Sequence, residues 1–89
     1  LELTVPAFKN DTPLDLTKLS YRQAQIVGKM KLDGIYSNKR IAKELEISPE
    51  TISTHFKVIF RKLDLQGGKL ELLARVTREQ IVQRLVSIF

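Results

Sequence analysis

The chain has no cysteine and a single histidine, His55, among its 89 residues. Without thiols neither a disulfide framework nor a thiolate zinc site can form. One imidazole leaves no histidine cluster for metal binding, and no nucleophile–base pair or glycine-rich phosphate loop can be assembled from the residues that remain. No cofactor is therefore expected, and an enzyme is the least favoured class. No apolar run approaches the ~20 residues that span a bilayer, and no signal-peptide pattern opens the chain. The expectation is a cytoplasmic protein without a membrane partner. Repeats and low-complexity segments are also lacking. Leu1 stands where methionine would, which predicts a fragment or processed product with a sensing domain upstream.

What is present is an ordinary globular composition, 43% apolar, with an excess of basic charge. The 15 Lys and Arg against 10 Asp and Glu give a net charge of +5 and a pI near 9.8. A basic domain of this kind carries the electrostatic footprint of a nucleic-acid binder, although charge alone does not establish one.

Residues 1–18 contain Pro6, Pro13 and Asn10-Asp11-Thr12 and read as a linker or extended arm, with residues 19–89 as the folded domain. Leu1, Leu3 and Val5 alternate with polar residues, but Pro6 ends any strand there. Ser20 and Gln23 have capping-box spacing and start a first helix, which Asp33-Gly34 stops. Ser37 caps a second, with Ile41, Ala42 and Leu45 as its apolar stripe. Ser48-Pro49 opens a third helix running to about Asp64. Gln66-Gly67-Gly68 then breaks the chain before a last helix from Lys69 to about Ile88. Thr77 and Gln80 also fit a capping box, which would cut that helix in two. A single helix is preferred, because Leu70, Leu73, Ala74, Ile81, Leu85 and Ile88 fall on one face at about 3.6-residue spacing. The fold expected is all-α, a compact four-helix domain with an extended N-terminal arm.

The second and third helices, joined at Glu46-Ile47-Ser48 with small Ala42 at the crossing, have helix-turn-helix spacing. In the third, Ile52, Phe56, Ile59 and Leu63 form a stripe that must face the core. Glu50, Ser53, Thr54, Lys57 and Arg61 lie opposite. Lys57 can donate to guanine O6 or N7, Thr54 can set its methyl against a thymine methyl, and Ser53 can serve either base. Glu50 can accept from cytosine N4 or simply favour the positive end of its helix. A polar outer face also suits any surface helix, so this pattern alone leaves both readings open. His55, at the border of the stripe, reads as packed or phosphate-touching rather than catalytic.

Leu19-Ser20-Tyr21-Arg22, Ser37-Asn38-Lys39-Arg40-Ile41-Ala42, Ile52-Ser53-Thr54-His55-Phe56 and Arg61-Lys62-Leu63 together resemble the LuxR/GerE helix-turn-helix family. The resemblance runs from about Leu19 to Leu72. It implies a C-terminal DNA-binding domain of a bacterial transcription regulator, with helix 49–64 in a major groove of double-stranded DNA. Base contacts are implied at Ser53, Thr54 and Lys57, with Glu50 a further candidate. Phosphate contacts are implied at Ser37, Asn38, Lys39, Thr51 and Arg61. Glu46 stands where the family commonly has glycine; a left-handed backbone there costs about 1–2 kcal/mol. Gln23 replaces the usual glutamate, and Gly67-Gly68 replaces Asn-Arg, so no backbone contact is assigned to that loop.

On the last helix Leu72, Val76, Val86 and Phe89 remain outside the core-facing stripe, which predicts a homodimer on a palindromic site. Two rival readings share the fold. Region 4 of a sigma factor would have RNA polymerase as its partner, and copurification with the polymerase would favour it. A protein-interaction module would keep the fold without binding DNA, and Lys57 and Arg61 argue against it.

Overall fold

A computed structural model of the chain describes residues 14–86. Among these residues the fold is all-α. A 3-10 turn, Leu16–Lys18, leads into α1 (Tyr21–Lys31), α2 (Asn38–Leu45), α3 (Pro49–Lys62), α4 (Gly68–Arg75) and α5 (Arg78–Val86).

The starts of α1, α2, α3 and α5 are each set by a side chain that satisfies backbone N–H groups the first helical turn leaves open. Ser20 accepts from Gln23 N at 3.2 Å while Gln23 Oε1 accepts from Ser20 N at 3.1 Å, a complete capping box. Ser37 caps α2 through Arg40 N, and Ser48 caps α3 through Thr51 N, with Pro49 in the first turn. The first helix stops where expected. Gly34, at φ 70°, turns the chain and Gly34 N donates to Met30 O at 3.1 Å.

The last helical segment departs from expectation. Thr77 Oγ1 accepts from Gln80 N at 3.0 Å and Gln80 Oε1 accepts from Thr77 N at 2.9 Å, so a second capping box opens a fifth helix. Val76, the residue between, is extended at φ −87°, ψ 143°. The interruption resets the helical phase, so a stripe drawn through both pieces does not describe one face. Leu72 (0% exposed) and Val76 (1%) lie in the domain's own core and offer nothing to a second copy. Leu70, assigned to the core, is instead 65% exposed, and Ala74 is exposed one turn later. Val86 is exposed as expected, whereas Phe89 and Ile88 lie outside the described residues.

The packed unit also begins earlier than the sequence suggests. Leu14, Leu16 and Leu19 are buried with Ile26, Val27, Met30, Ile41, Ile52, Phe56, Ile59, Leu72 and Ile81 in one core. The segment from Leu14 to Lys18 therefore belongs to the packed unit; the earlier part of the expected arm lies outside the described residues. Side chains of α5 hold it there. Gln80 Nε2 donates to Leu14 O at 2.8 Å, and Arg84 donates to Leu16 O at 3.2 Å and Leu19 O at 2.7 Å. Leu16 O also accepts from Leu19 N at 3.1 Å within the 3-10 turn, and the side chains of α5 add partners for backbone groups that must be satisfied away from water. Beneath them α5 lies close on α1 at Gly28. A Cβ at that position would meet Ile81 Cγ2 at 3.3 Å and Leu85 Cδ1 at 3.6 Å.

Candidate nucleic-acid interface

The α2–α3 elbow is rigid for reasons visible in its backbone. Ala42 is buried where the helices cross, Ile47 N donates to Ala42 O at 3.0 Å, and Ile41 and Ile52 are fully buried on either side. Glu46, the last residue before the turn, sits at φ 59°, ψ 42°. It takes the left-handed conformation that closes a helix, and does so without the glycine that avoids Cβ crowding.

With Ile52, Phe56, Ile59 and Leu63 buried, the opposite side of α3 is presented to solvent. Glu50, Thr54, Lys57 and Arg61 are exposed and recur at helical spacing, so they form a single line along the outer surface. Ser53 is half-buried beside that line, on the side of Phe56 and Phe60. Thr51 is exposed on the other side, its hydroxyl 2.8 Å from Ser48 Oγ. The base-contact candidates thus share one face, with Ser53 at its border, and the phosphate-contact candidate Thr51 is engaged with the helix cap.

The start of α2 gathers the remaining candidates. Ser37 and Lys39 are exposed, and Asn38 is half-buried between them. Lys69, at the start of α4, reaches this point. Its Nζ donates to Asn38 Oδ1 at 2.6 Å and to Tyr36 O at 2.9 Å, and lies 4.8 Å from the centre of the Phe56 ring. Partial burial lowers the pKa of this ammonium, because leaving water disfavours the charged form. Sequence reasoning missed Lys69. Its partner lies 31 positions away, and no local pattern links them.

The other edge of α3 is braced from α1. Gln23 is buried, and its Oε1 accepts from Lys62 Nζ at 3.3 Å as well as from Ser20 N. Both donors lack acceptor capacity, which fixes the amide with Nε2 toward His55, 3.4 Å from Nδ1. An amide NH2 only donates, so the contact is a hydrogen bond when Nδ1 is the acceptor. His55 is a half-buried residue joined to α1. Among the described residues no group of three or more His, Cys, Asp or Glu side chains is placed to hold a metal. Nor is any helix among them long and apolar enough to cross a membrane.

No curated protein and no solved structure gives a significant match to the chain. A family profile does. Residues 17–69 match GerE, the bacterial regulatory proteins of the luxR family, which covers the segment from the 3-10 turn to the start of α4 and includes the whole elbow. The chain belongs to the luxR family of bacterial regulatory proteins, helix-turn-helix DNA-binding transcription regulators rather than enzymes.

Proposed function

We propose that α3 enters the major groove of duplex DNA and reads its sequence there. The observation that carries this reading is the exposed line Glu50, Thr54, Lys57 and Arg61 on a helix whose opposite side is locked into the core. A groove about 12 Å wide admits one α-helix, and only a helix held at a fixed angle can bring side chains repeatedly to the same base edges. Thr54 and Lys57 face bases from the middle of the line, Ser53 from its border and Glu50 from its first turn. Arg61, at the far end, reaches a phosphate, as does Thr51 beside the cap. Ser37, Asn38 and Lys39 meet another phosphate at the start of α2, where backbone N–H groups and the helix dipole favour an anion.

The protein binds as a homodimer through the faces left apolar and exposed on α4 and α5. Leu70 with Ala74, and Val82 with Val86, replace Leu72 and Val76 in that role. Two-fold pairing would set half-sites roughly one helical turn apart, about 34–36 Å. A chromosomal target implies a cytoplasmic protein.

Amide chemical-shift mapping with duplex DNA tests the reading. Shifts concentrated on residues 50–61 and 37–39, with α5 little affected by the duplex itself, are expected. Shifts confined to α4 and α5, or no binding, would favour a module that keeps the fold for another partner.

A further inference from the structure

We propose that Lys69 is a positioning residue of the DNA interface, acting through Asn38; this rests on the DNA-binding reading above. Three contacts converge on one ammonium: Asn38 Oδ1 at 2.6 Å, Tyr36 O at 2.9 Å and the Phe56 ring 4.8 Å from its centroid. They belong to three different parts of the fold, the loop before α2, the first residue of α2 and the core side of α3.

The consequence for Asn38 follows from hydrogen-bond capacity. An ammonium donates and cannot accept, so the carboxamide oxygen must face Lys69 and the Nδ2 amino group must face away. That leaves Asn38 as a directed donor beside the Ser37 hydroxyl, in place of a freely turning amide that offers oxygen and nitrogen equally. The Tyr36 carbonyl, held by the same ammonium, fixes the backbone just before the Ser37 cap. The cation also sits near the positive end of α2, where a cation is disfavoured by the helix dipole. None of the ion pairs among the described residues gives Lys69 an acidic partner. A phosphate received by Ser37 and Asn38 would bring the missing negative charge to this corner.

Because Asn38 is neutral, positioning and direct contact are separable. A lysine that itself neutralises a phosphate contributes about 0.9 to the slope of log affinity against log salt. A lysine that acts by orienting Asn38 changes affinity and leaves most of that slope in place.

The test compares Lys69→Met, Lys69→Arg, Asn38→Ala and the Lys69→Met/Asn38→Ala pair in the full chain, on one fixed duplex over a salt series. Each of Lys69→Met and Asn38→Ala is expected to weaken binding about fivefold, the range of one hydrogen bond. The double variant should lose no more than the larger single loss, Lys69→Arg should restore most of the affinity, and the slope should stay near the wild-type value. Additive losses with a slope reduced by about one unit would overturn the proposal and make Lys69 an independent phosphate contact. Melting curves identify a variant that fails to fold. In that event the Asn38 side-chain amide resonances of the wild-type protein decide: shifts away from those of a solvated asparagine support the contact, and solvated values overturn it. A wild-type chain that binds no duplex overturns the DNA reading, and this role with it.

Discussion

Gln23 near the start of α1 reaches His55 in the middle of α3, with Nε2 3.4 Å from Nδ1, while the same amide accepts from Lys62 a further two turns along. The outward helix is therefore braced on this edge by a buried polar hub and on the other by Lys69 stacked on Phe56. On the proposed reading of α3, bracing of this kind would serve recognition, since base-edge hydrogen bonds tolerate little angular error. It also accounts for His55: the ring is engaged by its own domain.

Lys57 and Lys39 should fail in different ways. Lys57→Ala is expected to cost about 1–3 kcal/mol on the preferred duplex and to relax selectivity. Lys39→Ala should weaken all sequences alike and lower the salt slope by about one unit. Titrations on matched and mismatched duplexes across a salt series check both. Equal losses on every sequence would move Lys57 to the phosphate footprint.

Glu46→Gly should stabilise the protein. At φ 59° the glutamate holds a left-handed backbone, and glycine removes the Cβ conflict for a gain of about 1 kcal/mol. Urea unfolding reads this directly, and an unchanged or lower midpoint would show that the turn relieves the strain by other means.

Leu70 and Leu72 are neighbours with opposite expected effects. Leu72→Ala opens a cavity in the core and should cost about 2–5 kcal/mol. Leu70→Glu should leave the folded monomer intact and abolish pairing, as sedimentation at high protein concentration would show. A Leu70→Glu variant that still pairs would remove α4 from the dimer surface.

Glu71 gives the domain a defined acid sensitivity. Its carboxyl is held below its ordinary pKa of 4.5, first by the Gly67 N–H at 2.8 Å and also by the Arg75 guanidinium at 2.9 Å, against the effect of burial. A carboxyl lowered in the folded state contributes stability that is present above its unfolded pKa and lost as pH falls through the folded one. Stability should therefore decline from about pH 4.5 downward, and Glu71→Gln should be less stable at neutral pH with a flatter acid limb. Thermal melts across pH 2.5 to 7, conditions chosen to span roughly this transition, measure it. Parallel curves for the two proteins would contradict it.

What could be read from the sequence was local. Ser20, Ser37 and Ser48 announced three helix starts because capping chemistry acts within three residues, and the Ile52–Leu63 stripe was found by its period. The Thr77–Gln80 box was equally visible, but apolar periodicity across Val76 argued for one continuous helix. Two helices whose phases happen to agree in part give the same pattern, and the error turned Leu72 and Val76 outward. The packing of Leu14–Lys18 is not legible locally, because its anchors, Gln80 and Arg84, lie more than sixty residues away. Lys69 with Asn38 and Gln23 with His55 are likewise pairings more than thirty residues apart, set by tertiary packing alone.

Selection from a random duplex pool, at about 0.15 M salt where unspecific phosphate binding is already weak, tests the central claim most directly. Enrichment of a common sequence, arranged as an inverted repeat, is the predicted result. Retention of DNA without any enriched sequence would contradict the reading of α3 as a helix that reads bases.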